Sequence, residues 1–287
     1  DLGLPDMSFS EAVAAGANSV VIGVAPSGGA LKAEWVAVLT EAIRSGLSLV
    51  SGLHRKLTED YELVKAADAS GQQLIDIRVP PASIPIATGR QRSGKRLLMV
   101  GTDCCVGKKY SALSLHKALQ ERGVAATFRA TGQTGILIAG GGIPMDAVVS
   151  DFLSGAAETL TPDAAFDHWD VIEGQGSLFH PAYAAVTLGL LHGSQPDAMV
   201  LCHGSGRTVI DEYEDFPVPD LRECVTQYEQ AARVTNRQSS IVGISLNTQG
   251  LSDTEALSAC RDASTLTGLP CVDPMRHALD SILDALP

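Results

Sequence analysis

Leu97-Leu98-Met99-Val100-Gly101-Thr102-Asp103-Cys104-Cys105-Val106-Gly107-Lys108-Lys109 decides the fold of this chain. Four apolar residues suited to a buried strand enter a glycine-bounded loop, and a helix-like segment, Tyr110 to Arg122, follows. A loop of this kind that ends in Gly-Lys builds a phosphate nest. Backbone N–H groups converge on the anion, the helix N-terminus adds partial positive charge, and the lysine ammonium completes the cage. Five residues separate Gly101 from Gly107-Lys108, one more than in the commonest P-loop, so the loop is a variant. Lys109 stands where such loops carry the Ser or Thr that binds magnesium. The expected ligand therefore bears phosphate and needs no metal to be held.

Working outward, the chain alternates strand and helix patterns. From Arg96 the expected elements are strands 96–100, 125–130, 169–173, 197–202, 239–245 and 270–272. Helices 108–122, 145–157, 181–191, 220–235, 253–267 and 275–284 lie between and after them. Asp220 with Glu223 and Ser252 with Glu255 mark helix starts, and Gly268 with Pro270 marks a stop. Repeated βα units of this length give a doubly wound parallel sheet. Residues 8–77 read as a smaller α/β sheet: Ser8 and Glu11 form a capping box, strand 19–24 follows, then helix 33–45, strand 47–50, helix 61–70 and strand 73–77. Gly23 with Gly28-Gly29 suggests a dinucleotide turn, but Ser51-Gly52 stand where the next strand needs an acid for the ribose, so a plain βα turn is the reading. Between the two lies 79–95, with Pro80, Pro81, Pro85, Gly89 and Gly94 among basic residues, expected as an extended linker. The expected organisation is thus 1–78, a linker at 79–95, and 96–287.

Composition narrows the function. A net charge of −12 argues against a nucleic-acid or anionic-membrane surface, and no apolar run reaches bilayer-spanning length. No signal-like segment opens the chain. Six cysteines without a CxxC pair point to a reducing, cytoplasmic home. Cys104 and Cys105 lie in the phosphate loop, where a helix N-terminus can activate a thiol; two small loop side chains is the plainer reading.

Ligands of doubly wound sheets bind beyond the carboxyl ends of the strands. Five consecutive strand ends carry polar strings there: the phosphate loop, Arg129–Gly135, Glu173–His180, Cys202–Arg207 and Asn247–Gln249. Glu173 ends a Walker-B-like strand and is a candidate general base, the alternative being a carboxylate that caps loop amides. His180, before Pro181, is a second candidate base. Arg129 is a candidate bidentate clamp for carboxylate or phosphate, or else a salt-bridge partner, and Arg207 is similar. Asp211–Asp215 reads as a solvated acidic loop or a lid.

These strings carry a resemblance. Gly-Thr-Asp-Cys-Cys-Val-Gly-Lys-Lys (101–109), Phe-Arg-Ala-Thr-Gly-Gln-Thr-Gly (128–135), Glu-Gly-Gln-Gly-Ser-Leu-Phe-His-Pro (173–181) and Gln-Pro-Asp (195–197) resemble the D-glutamate N-acetyltransferase family. That resemblance covers essentially the whole chain and implies a Rossmann-like N-terminal part and a P-loop NTPase-like C-terminal part. It also implies acetyl transfer from acetyl-coenzyme A to the amine of D-glutamate, and a missing segment before Asp1. On this reading Gly101, Thr102, Asp103, Cys104, Val106, Gly107, Lys108 and Lys109 hold the phosphates of the donor. Arg129 and Arg207 take the carboxylates of the amino acid, with Gln133, Thr134, Gln175 and Ser177 as further substrate contacts and oxyanion donors. Glu173 or His180 takes the ammonium proton. No metal is expected, direct transfer is preferred to a cysteine acyl-enzyme, and a homo-oligomer is the expected assembly.

The phosphate loop is also similar to that of dethiobiotin synthetase, where Thr replaces Lys109. An ATP- and magnesium-dependent ligase or kinase is therefore the runner-up, with Asp103 and Glu173 as ligands. A nucleotide-sensing module without turnover is the third reading.

Overall fold

A computed structural model describes residues 3–24 and 31–287; the glycine pair Gly28-Gly29 lies outside them. The chain divides into two compact units, Asp1–Val79 and Pro80–Pro287.

In the first unit three short parallel strands, β1 (Ser19–Val21), β2 (Ser48–Ser51) and β3 (Leu74–Asp76), lie side by side in chain order. Local chemistry sets its helices. Ser8 and Glu11 form the capping box that starts α1 (Phe9–Ala14). Helix α2 spans Ala33–Arg44. Asp60 caps α3 (Tyr61–Ser70) by accepting from the amides of Glu62 and Leu63, and Gly71 ends it in the left-handed region. Ala42, Ile43, Leu47, Leu49, Leu57 and Leu63 form a core shielded from water.

The second unit carries the larger sheet. Its strands are β4 (Lys95–Gly101), β5 (Ala126–Arg129), β6 (Trp169–Ile172), β7 (Ala198–Gly204), β10 (Ser240–Asn247) and β11 (Cys271–Val272). All pair in parallel, in the order β11-β10-β7-β4-β6-β5. After β5 the chain returns to place β6 against β4, then crosses to add β7 on the other side. The switch point therefore lies at the carboxyl end of β4, where the phosphate loop begins. Alternation along β4 feeds two cores. Leu97 and Met99 pack with Ala112, Leu115 and Leu119 of α4 (Lys108–Glu121) and with α10 (Asp280–Leu283). Leu98 and Val100 face α6 (Leu153–Leu160), α7 (Ala184–Ser194) and α8 (Leu221–Ala232). Helix α9 (Asp253–Thr267) opens with its own capping box, Ser252 and Glu255. Among the described residues no helix is long and apolar enough to cross a membrane.

Three expectations change. The helix expected at 145–157 is two single turns, Met145–Ala147 and Ser150–Phe152, followed by α6. The helix expected at 275–284 shrinks to α10, because the Asp273 carboxylate accepts from the Met275 amide and His277 Nδ1 accepts from the Asp273 amide. Such side-chain bonds offer the backbone an alternative to helix. A short helix α5 (Gln133–Ala139) and an antiparallel hairpin, β8 (Val209–Ile210) with β9 (Tyr213–Pro217), were not expected. Residues 80–94 hold no helix or strand, yet they are fastened to the second unit. Arg92 is buried and donates to the carbonyls of Thr161 and Gly193, and Thr88 donates twice to Glu158.

Candidate active site

Gly107 has φ +98°, a conformation that costs glycine little, and there the loop turns into α4. Lys108 follows, buried, and its Nζ donates to the carbonyl of Asp103 at 2.7 Å. Burial pulls its ammonium below the ordinary lysine range. That lysine lies folded across its own loop. The ammonium of Lys109 instead rests 4.6 Å from the ring centre of the exposed Tyr110. Position 109 thus presents a cation where a magnesium-binding hydroxyl would stand.

Asp103 is fully buried and fully engaged. Its Oδ1 accepts from the Cys104 amide, and its Oδ2 accepts from Arg207 Nη1 and the Asp211 amide, both at 2.8 Å. The acidic stretch 211–215 is therefore no free loop: it begins at this anchor and continues into β9. Thr102, also buried, meets His203 Nδ1 at 2.9 Å, and burial pulls that imidazole below its ordinary range. Burial pushes the Cys104 thiol up to about 11, which keeps it protonated at neutral pH and unsuited to nucleophilic attack.

His180 is 2% exposed. Its ring lies 4.4 Å from that of Tyr183 and meets the Tyr213 ring edge-on at 5.0 Å, so the hairpin closes over it. The ligating atoms of Asp103, Cys104 and His180 all lie within 4.8 Å of one another. The structure thus unites the phosphate loop, His180 and Arg207.

Glu173 occupies a neighbouring place. Its Oε2 accepts from the amides of Thr131 and Gly132 at 2.9 and 3.0 Å, immediately before α5. A Cβ on Gly135 would lie 2.1 Å from that oxygen, so only glycine admits the carboxylate against the helix. Burial raises its pKa, opposed by the two amides and more weakly by Lys109 and Lys108. Glu173 caps α5, and the lysines reach it electrostatically. Gln175 Nε2 donates to Thr131 Oγ1, while Gln133 and the exposed Thr134 lie in the first turn of α5. Ser177 is fully buried and accepts from the Phe179 amide, away from any open surface.

Arg129 does not join the group. Its Nε donates to Asp170 at 2.7 Å, drawing the guanidinium back along the sheet edge toward buried Asp170. The salt-bridge alternative describes its place. Tyr228 of α8, which sequence reasoning did not single out, supports the site. Its hydroxyl donates to the Gly101 carbonyl and accepts from the Leu178 amide, tying the phosphate loop to the His180 loop.

Beside the loop a cleft of about 300 Å³ opens between α4 and the ends of β10 and β11, lined by Val106, Tyr110, Asn247, Gln249, Met275 and Arg276 among others. A more open groove of about 380 Å³ runs from Gly204 to Val209 and shares Asn247 and Gln249 with the cleft. Cleft and groove together form an extended surface alongside the nest.

The P-loop domain of a family described as a domain of unknown function, DUF1611, matches residues 85–283, and the Rossmann-like domain of the same family matches residues 1–80. This chain belongs to that family. A D-glutamate N-acetyltransferase of Tritonibacter scottomollicae is 50% identical over 286 residues, covering 100% of this chain and 86% of the relative. A D-glutamate N-acetyltransferase of a Pseudoalteromonas species is 49% identical over 281 residues, 98% of this chain and 85% of that one. A crystal structure of a DUF1611 family protein from Anabaena variabilis superposes with a TM-score of 0.90 at 38% identity, covering 97% of this chain and 82% of that chain. The α/β architecture expected from the phosphate loop and the strand alternation is the architecture of this family.

Proposed function

We propose that this chain transfers the acetyl group of acetyl-coenzyme A to the amine of D-glutamate. The observation that carries the reading is the pairing of a lysine-closed phosphate nest with a cation at position 109. A diphosphate fits such a nest through backbone amides, the helix N-terminus and Lys108, without the metal a triphosphate demands. Names shared by two relatives at half identity support the same chemistry.

In this reading the donor's diphosphate lies on Gly101–Lys109 and its adenosine enters the cleft beside Tyr110. Its thiol arm follows the loop toward Arg207 and His180. Arg207 stands beside the phosphate loop and pairs through Nη1 with Asp103 and Asp211, and it is the candidate to take a substrate carboxylate through its other N–H groups. The amine nitrogen attacks the thioester carbon, the new C–N bond forms, the C–S bond breaks and sulfur leaves. Overall the ammonium gives up two protons, one to the departing sulfur and one to a base. Glu173, whose carboxyl pKa burial raises above its ordinary value, is the candidate base. No step uses a metal. Six free thiols accord with a reducing cytoplasm, and a homo-oligomer is the proposed assembly.

The test is the purified chain with acetyl-coenzyme A and D-glutamate, followed by thiol release and by mass of the product. Stoichiometric coenzyme A and N-acetyl-D-glutamate are expected, unaltered by chelator. Magnesium-dependent ADP release from ATP in their place would sink the reading.

A further inference from the structure

His180 sits where a base, a metal ligand or a hydrogen-bond donor would serve, and its own hydrogen bond separates these roles. The amide of Ala182 donates to Nδ1 at 3.1 Å. A backbone N–H can only donate, so Nδ1 is the acceptor nitrogen, and in the neutral ring the proton lies on Nε2. Among the described residues Nε2 has no hydrogen-bond partner, and it is not among the sealed polar atoms that lack one. The tautomer is built in, because Ala182 follows Pro181 directly, and the rings of Tyr183 and Tyr213 pack on the imidazole.

This arrangement fits neither of the other roles. A base at Nε2 needs a lone pair where this ring carries hydrogen. A metal at Nε2 needs Nδ1 to keep a proton for an acceptor, as metal-bound histidines do, whereas here Nδ1 faces a donor. Asp103 is already committed to three N–H groups, from Cys104, Arg207 and Asp211.

Building on the acetyl-transfer reading, we propose that His180 presents a fixed neutral Nε2–H to the carbonyl oxygen of the thioester, stabilising the negative charge that grows there as the amine attacks. A donor in a nearly water-free position is worth most to an oxygen that gains charge only during reaction, and it needs no reorganisation. Substrate carboxylates, charged throughout, are matched by Arg207. As the tetrahedral adduct collapses, the oxygen regains its double bond, sulfur departs and the Nε2 proton stays on the ring.

The experiment compares His180→Ala with His180→Gln, whose amide places an N–H where Nε2 was and does not titrate. His180→Ala should lower kcat by about 100-fold or more, the usual cost of one oxyanion donor, with KM for both substrates within about twofold. His180→Gln should recover at least about tenfold of that loss and keep the wild-type pH profile. Equal inactivity of both variants with loss of the acidic limb would make His180 the base and overturn the proposal. A raised KM for D-glutamate with unchanged kcat would overturn it in favour of a carboxylate contact. Independently, ¹⁵N-imidazole spectra of the wild-type protein, assigned by the signal lost in His180→Gln, should show the Nε2–H tautomer. An Nδ1–H tautomer overturns the donor role even if acetyl transfer is confirmed. Absence of acetyl transfer by wild-type protein with the Nε2–H tautomer intact overturns the acetyl-transfer reading instead.

Discussion

The two ends of the large sheet both bury charge, and they treat it differently. At the amino end, Arg92 bonds to the carbonyls of Thr161, Gly193 and Ser194 and pairs with Glu158 at 3.3 Å. Arg96 pairs with Asp197 at 3.2 Å, and Asp197 also accepts from the Arg96 amide. Among the described residues the buried polar atoms there without a hydrogen-bond partner are the oxygens of Ser194, Gln195 and Ser239 and the Nδ1 of His168, none of them on the arginines or their carboxylates. At the carboxyl end, among the described residues, buried Lys108 has a single carbonyl for partner and His180 Nε2 has none. A charge bonded on every side holds strands together. A buried polar group with capacity to spare is poised for a ligand, because desolvation makes each unmade bond costly until the ligand arrives. The difference also sorts the family strings. Gln195-Pro196-Asp197, one of the strings that carry the resemblance, lies at the amino end and serves the architecture.

Substitutions at the two ends should break in opposite ways. Arg92→Ala leaves Glu158 and three carbonyls short of a buried partner, and it should destabilise the protein by about 3–5 kcal/mol, read from denaturant midpoints. KM values should hold wherever it stays folded. Lys108→Ala should do the reverse. It should weaken acetyl-coenzyme A binding by roughly 100-fold, the loss of one charge-assisted contact, measured by calorimetry, with stability within about 1 kcal/mol. Equal losses of donor and D-glutamate affinity would remove Lys108 from the phosphates.

The two arginines sharpen the contrast at smaller amplitude. Arg207→Ala should raise KM for D-glutamate by about tenfold, in line with one lost ionic contact. Arg129→Ala should leave KM unchanged and cost about 1–2 kcal/mol of stability, since it strips a partner from buried Asp170. A raised KM in Arg129→Ala would return it to the site. Smallest is the pH effect at Glu173. Its folded pKa is raised, so between the ordinary carboxyl value and the raised one the folded chain binds more protons than the unfolded chain. Stability must then fall as pH rises through that interval. Glu173→Gln should flatten this slope in denaturant titrations across pH while lowering kcat with little change in KM. An unchanged slope would show that the carboxyl is not strained by burial.

Much of the site was readable because its chemistry is local. The phosphate loop, the capping boxes at Ser8 and Ser252 and the stop at Gly71 depend on neighbours within a few residues. Helix α5 escaped notice because its cap is Glu173, some forty residues away, and Gly132 carries no capping side chain. The hairpin escaped because Tyr-Glu-Asp-Phe-Pro looks like a solvated turn until Asp103 anchors its first amide. Tyr228 gave no signal because its hydroxyl bonds to Gly101, far away in the chain.

Sequence alone determined that this chain is an α/β protein whose largest sheet presents a phosphate nest at a strand end, because strand period, helix period and loop geometry are all short-range properties. Which polar residues were free to act was decided only by the tertiary structure. Arg129 was drawn to Asp170, Arg207 to Asp103, and His180 was fixed as a donor by one amide. A side chain's type sets what bonds it can make; long-range packing sets which of them are already made.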